Sequence, residues 1–162
     1  MNDPQTFLLW FLPVFVVSFA VLWMFISALL AEIGGWSQLG RLYAEPAGMV
    51  RAPLASFGMA SLDLRRGRLS LPANYSNCAI VEVAQAGLHL RTWRPFRFRH
   101  APLLIPWNQI ERLEAGNFLF WRTMMIQPRG VGTRIRLYGG PAKAVEEVWR
   151  QLAAGARQPA AV

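Results

Sequence analysis

From Phe7 to Ala31 no charged side chain interrupts the chain, and the apolar residues fall on every side of a helix rather than on one stripe. Those 25 residues would form a helix of about 37 Å at about 1.5 Å per residue, enough to cross a hydrocarbon core of about 30 Å with some tilt. The pattern predicts a membrane anchor, with Pro13 removing one internal hydrogen bond and kinking it. Trp10 and Trp36 bracket the span at depths suited to interfacial anchoring, whereas Trp23 lies well inside. Ser27 and Ala31 form a small-xxx-small pair, which either brings two helices together or reflects the ordinary use of small residues in membrane helices.

Gly34 and Gly35 read as a C-cap and a flexible joint. Trp36, Leu39, Leu42 and Tyr43 then share one side of a two-turn helix that stops before Pro46. Two readings fit that stripe. The segment lies along the headgroup layer with Trp36, Tyr43 and Arg41 as interfacial anchors, or its aromatic rings pack on the domain that follows.

From Leu54 the period changes to two, in short stretches punctuated by Gly, Pro and Asn. Strands are predicted at Ala55 to Leu64 and Arg68 to Leu71 around an Arg65-Arg66-Gly67 turn, then at Asn77 to Ala84. Gln85-Ala86-Gly87 turns into a strand with Leu88, Leu90 and Thr92 on one face and His89, Arg91 and Trp93 on the other. Further strands are expected at Leu103 to Trp107, Ile110 to Ala115, Phe118 to Gln127 and Thr133 to Tyr138; Pro106 makes the first of these an edge or a bend.

A helix closes the pattern. Pro141 stands at an N1-like position, Glu146 and Glu147 lie towards the start, and Val145, Val148, Trp149 and Leu152 make the apolar stripe, with Gly155 and Pro159 as stops. The divisions are thus 1–33 for the tail and membrane helix, 34–53 for hinge and amphipathic segment, 54–155 for one β domain with its helix, and 156–162 for a short tail. The fold class is α+β, and a domain of that size can bury its own core.

Charge adds orientation. Asp3 is the only charged side chain ahead of the anchor, while all 17 Lys and Arg lie between Arg41 and Arg157. By the positive-inside rule Arg41 and Arg51 hold the C-terminal flank in the cytoplasm and send the N-terminus across, the topology of a single-pass bacterial inner-membrane protein. A cleaved signal peptide fits less well, because the run lacks a basic leader and Leu29 occupies the minus-three position of a cut after Ala31. From Trp36 onward 17 basic and 7 acidic residues leave +10, which suits an anionic leaflet, attracts nucleic acid, or reflects an Arg-favouring genome.

Candidate chemistry is sparse. Cys78, alone, excludes an internal disulfide and reads as a buried structural thiol within an apolar run. His89 and His100 have no carboxylate at ligand spacing, and no HExxH, GxSxG or Walker pattern occurs. No catalytic, cofactor-binding or metal-ligating residue is assigned, and an enzyme is not expected.

The stretch Val83 to Leu90, an apolar strand then Gly87-Leu88-His89-Leu90, followed after a basic stretch by Ile105-Pro106-Trp107-Asn108-Gln109-Ile110, is similar to the bacterial PH-like and GRAM-like group, whose members carry a Gly-Leu hairpin and an Ile-Pro-Trp-x-x-Ile segment. The resemblance spans roughly Ser76 to Ala154. It implies a bent antiparallel sheet of about seven strands closed by a C-terminal amphipathic helix, in a membrane-anchored binding or scaffolding protein. The Lys-x-Arg arrangement of phosphoinositide-binding members is missing at the first hairpin, where Arg65-Arg66-Gly67-Arg68 stands instead. Independently of any family, Pro106 breaks edge pairing while Ile105, Trp107 and Ile110 can turn inward as a core cluster.

Between Glu82 and Glu111 there is no acid, and Arg91-Thr92-Trp93-Arg94-Pro95-Phe96-Arg97-Phe98-Arg99-His100 interleaves cations with rings. Arg91, Trp93, Arg94, Phe96, Arg97 and Arg99 are the candidate contacts to a lipid bilayer, with guanidinium groups on phosphates and rings at the acyl boundary. The same stretch could serve a membrane protein partner or a second copy, stack on single-stranded nucleic acid in a membrane-tethered regulator, or be a solvated strand face of Arg97 and Arg99 over buried Phe96 and Phe98. The tether favours lipid over nucleic acid.

Overall fold

In this computed structural model residues 4–67 and 71–155 are described. The tail 156–162 and most of the expected Arg68 to Leu71 strand fall outside them. The apolar run forms α1 (Pro4–Gly34), which passes through Pro13 as one helix. It is long and apolar enough, over Leu9–Gly34, to span a membrane. Its side chains from Leu9 to Leu22 are all exposed. Beyond them one face changes role: Ser27 and Ala31 are buried and Trp23 is half-buried, all against the domain. The small-residue pair is therefore covered within this chain, an approach that small side chains permit for the same steric reason that they permit helix pairs.

The Gly34-Gly35 joint is close-packed rather than loose. A Cβ on Gly34 would stand 2.5 Å from the Ala73 Cβ, and Gly35 takes φ 86° with a Cβ position 2.3 Å from the Thr133 Oγ1. That turn starts α2 (Trp36–Tyr43). Here the headgroup-layer reading is corrected for Trp36 and Tyr43: Trp36 is fully buried and Tyr43 nearly so, alongside Leu39. The Trp36 indole donates to the Ala101 carbonyl at 2.9 Å and the Tyr43 hydroxyl to the Arg129 carbonyl at 2.5 Å. Each buried side chain of this size contributes about 1.5–3 kcal/mol, and satisfied polar atoms remove the cost that otherwise keeps Trp and Tyr at an interface. Arg41, on the opposite face, stays exposed.

Seven strands follow: β1 (Pro53–Arg66), β2 (Ala73–Ala84), β3 (Gly87–Thr92), β4 (Leu103–Pro106), β5 (Ile110–Phe118), β6 (Trp121–Pro128) and β7 (Thr133–Tyr138). They make one antiparallel sheet in the order β4-β3-β2-β1-β7-β6-β5, curled into a half-barrel. The curl has a local cause. Pairing of β1 with β2 shifts register between Phe57, Ala60 and Leu62, and Met59 and Asn77 adopt φ 53° and 54° within that bend. Alternate residues point inward: Leu62 and Leu64, Val81 and Val83, Leu88 and Leu90, Leu103 and Ile105, Ile135 and Leu137 are all fully buried.

Each open end of the half-barrel is covered. α2 lies over the end formed by Ala101, Arg129 and Thr133, where Thr133 also donates to the Gln38 side chain at 3.0 Å. The other end takes α3 (Gly140–Gly155), which contacts β6, β2, β1 and β7. Trp107 opens a 3-10 turn after Pro106, is nearly buried, and donates its indole N–H to the Ala84 carbonyl at 2.9 Å. Trp149 packs on it with ring centres 6.4 Å apart but is only half-buried, and Leu152 is exposed. Arg122 of β6 clamps α3 by a two-pronged contact to Glu146 at 3.0 and 2.7 Å, which holds that carboxyl below its ordinary range.

Candidate membrane-facing site

The basic stretch is a structured loop between β3 and β4, and the alternative of a solvated strand is corrected. Pro95 cannot donate to a ladder and its fixed φ suits a helical turn, so Arg94–Phe96 forms a single 3-10 turn. The Phe96 amide donates to the Trp93 carbonyl at 2.9 Å and the His100 amide to the Arg97 carbonyl at 3.0 Å. Thr92 donates its hydroxyl to the Phe96 carbonyl at 3.2 Å, and the Trp93 amide ties the loop's start to Cys78 at 2.9 Å. Arg99 completes the reversal with φ 58°.

His100 anchors the loop's end inside the domain. Its Nδ1 lies 2.8 Å from the Phe98 carbonyl, which can only accept, so that nitrogen carries the proton. The Nε2 then accepts from the Tyr75 hydroxyl at 3.0 Å, with the Trp36 ring edge-on at 5.2 Å. Burial lowers the His100 pKa and raises that of Tyr75, so both stay neutral near pH 7.

On that frame the six predicted residues separate into two groups. Arg91, Trp93, Arg94 and Arg97 converge on one open cleft of about 540 Å³ beside Ile80. Trp93 is 52% exposed, and Arg94 and Arg97 are exposed, whereas Arg91 is half-buried and paired with Glu82 at 2.6 Å. A cleft with three guanidinium groups and a ring at its mouth can take an anionic group with an apolar flank. Phe96 and Arg99 instead turn to α1. The Phe96 ring lies 5.0 Å from that of Trp23, the Trp23 indole donates to the Pro95 carbonyl at 3.0 Å, and Arg99 pairs with Glu32 at 3.1 Å. Phe98, not among the six, is 47% exposed between them.

Trp23 and Glu32 are the contact residues that the sequence pattern did not single out. Glu32, an acid just beyond the charge-free run, carried a signal; Trp23 carried none, since a tryptophan amid apolar residues reads as lipid-facing. Arg41 lies apart from the cleft, on the exposed face of α2.

A second charged group lies behind the cleft. Arg51 bonds Glu45 through two nitrogens, at 2.6 and 2.5 Å, and approaches Glu82 at 3.9 Å, while His89 stands 3.4 Å from Glu45. The Arg51 hydrogen bond holds the Glu45 carboxyl below its usual range. This cluster ties the α2–β1 connection to β2 and β3, and Arg91 reaches both it and the cleft. Cys78 is half-buried, and burial raises its pKa, which keeps it a thiol. Among the described residues no three His, Cys, Asp or Glu side chains come together as a metal site. No protein-family model matches the chain, and no curated protein matches it in sequence.

Proposed function

We propose that this is a membrane-anchored binding or scaffolding module, not a catalyst, whose PH-like domain is held on the bilayer so that Arg94 and Arg97, with Arg91 behind them, engage anionic lipid headgroups. The observation that carries the reading is the docking of the basic loop on α1 through Trp23, Phe96 and the Pro95 carbonyl. Ahead of Trp23, α1 from Pro4 to Leu22 measures about 28 Å at about 1.5 Å per residue, close to a hydrocarbon core of about 30 Å. The membrane boundary then falls at the level of Trp23, beside the exposed Trp93 and Phe98 rings and the Arg94 and Arg97 guanidinium groups. The strand order and the C-terminal helix over one open end support the PH-like part of the reading. The one-sided Lys and Arg distribution supports a bacterial inner membrane, with the N-terminus across and the domain in the cytoplasm.

The test extracts the full chain from native membranes in polymer-bounded lipid particles and compares its co-purified lipids with the bulk membrane. Anionic headgroups should be enriched. A basic side chain near an anionic surface gains about 1 kcal/mol, so Arg94→Gln with Arg97→Gln should cut the enrichment several-fold, and raised salt should do the same. An identical lipid composition for wild type and double variant defeats the proposal. Displacement of the lipids by a single-stranded oligonucleotide would favour the nucleic-acid reading.

A further inference from the structure

The turn between β5 and β6 exposes four consecutive apolar side chains: Phe118 is 51%, Leu119 79%, Phe120 98% and Trp121 61% exposed. The sequence pattern runs a strand through this segment from Phe118; the structure instead pairs Phe118 with Trp121 and reverses the chain at Leu119 and Phe120. Hairpin turns are normally Gly, Asn or Asp, because the reversal requires left-handed backbone. Here Leu119 takes φ 53°. A branched apolar residue in that conformation is strained, and its 79% exposed side chain gains little burial among the described residues in return.

The tip is also firmly mounted and uncharged. Phe118 lies edge-on to Tyr138 with ring centres 6.1 Å apart, and the Trp121 ring lies 3.5 Å from where a Gly139 Cβ would be. No charged residue occurs between Glu114 and Arg122, and Arg122 is held by Glu146.

Register shows which end of the sheet carries it. α1 meets the sheet at Gly34, beside Ala73 and Leu64; the Leu30 carbonyl lies 3.4 Å from the Tyr75 hydroxyl oxygen, and Trp23 reaches the loop whose first residue bonds Cys78. Going back towards the membrane, α1 thus passes from Ala73 to Tyr75 of β2 and on to the loop that leaves β3 beside Cys78. β7 runs the same way from Thr133, opposite Arg66, to Tyr138, which pairs with Thr123. Gly34 to Trp23 is about 17 Å of helix and Thr133 to Tyr138 about 17 Å of strand. The hairpin tip projects beyond Tyr138, at the end of the half-barrel to which α1 runs.

We infer that the Phe118-Leu119-Phe120-Trp121 tip is a second membrane contact, inserted into the interfacial layer of the leaflet from which α1 emerges. Two non-collinear attachments fix the domain's tilt and so hold the Arg91, Arg94 and Arg97 cleft towards the headgroups. The inference rests on the membrane reading of α1 given above.

The experiment places nitroxide labels on the full chain, in a Cys78→Ala background, at one copy per phosphatidylcholine–phosphatidylglycerol nanodisc, so that no second copy can cover the tip. Labels go at Phe120→Cys, at Arg97→Cys in the basic loop, and at Arg129→Cys in the turn at the opposite end of β6. Oxygen, which concentrates in lipid, should relax the label at 120 several-fold more effectively than an aqueous nickel chelate, and the preference should reverse at 129. A label at 120 as open to nickel as that at 129 overturns the inference. If the 97 label then reports headgroup proximity, only the tip contact is lost; if 97 too is remote from lipid, the membrane reading of the basic loop falls with it.

Discussion

His100 shows how one side chain couples the basic loop to the core. Nδ1–H is committed to Phe98 and Nε2 must accept from Tyr75, so the folded state needs the neutral ring. Its pKa is lowered by burial. The unfolded chain therefore binds this proton more readily than the folded one, and stability rises with pH wherever that difference is populated. The contribution is present above the unfolded value near 6.5 and is lost as pH falls from there to the lowered folded value. Thermal unfolding of the full chain in nanodiscs should show a lower Tm at pH 5.5 than at 7.5. His100→Gln, which cannot titrate, should start lower at pH 7.5 and lose less over the same range. Equal losses in the two proteins would refute this role for His100.

Among the elements, the α1–α2 joint fixes the direction of α1 relative to the domain. Gly35 and Gly48 both take positive φ, 86° and 77°, so replacing either by Ala imposes similar backbone strain. Only Gly35 is crowded, with Thr133 at 2.3 Å from its Cβ position and nothing within 4 Å at Gly48. Gly35→Ala should therefore destabilise the protein by about 1–3 kcal/mol more than Gly48→Ala, the usual range for overpacking, as read from denaturant unfolding. Equal effects would mean the joint is as loose as its sequence implies. Pattern alone could not separate these cases, because Gly-Gly after a helix serves both hinges and close contacts. The same ambiguity governed α2: Trp36, Leu39 and Tyr43 form a stripe that lipid or protein would cover equally well, and only the positions of Ala101 and Arg129 decide it. Strands with strict alternation, such as Thr133 to Tyr138, were legible because a half-buried sheet leaves period two in the sequence. The Phe118 to Trp121 turn was not, since it lacks the residues that usually mark a reversal. The basic cleft was legible as composition but not as geometry: a pairing partner at Glu82 and a ring contact at Trp23 divide its residues between two surfaces.

At the scale of the molecule, α1 does two jobs along one axis. Its exposed stretch to Leu22 can lie in hydrocarbon, while Trp23, Ser27 and Ala31 form a rib against the domain. The rib's outward residues, Phe25, Leu29 and Ile33, remain apolar and 46–64% exposed. On the proposed reading, with the membrane boundary at Trp23, the 31-residue helix exceeds a perpendicular span, and a tilt would bring Phe25, Leu29 and Ile33 towards the headgroup layer. The proposed orientation rests on charge. On the proposed reading Arg41 and Arg51 lie close enough in sequence to bias insertion, and folding adds Arg94, Arg97 and Arg99 on the domain side of α1, where an anionic cytoplasmic leaflet would favour them. Positions 1–6 hold no Lys or Arg. Expressed in a bacterium, a fluorescent protein fused after Val162 should therefore light up in the cytoplasm, and a phosphatase that folds only in the periplasm should stay inactive at the same position. An active phosphatase would reverse the topology, move the Arg94 and Arg97 cleft to the outer face, and remove the cytoplasmic leaflet as its ligand.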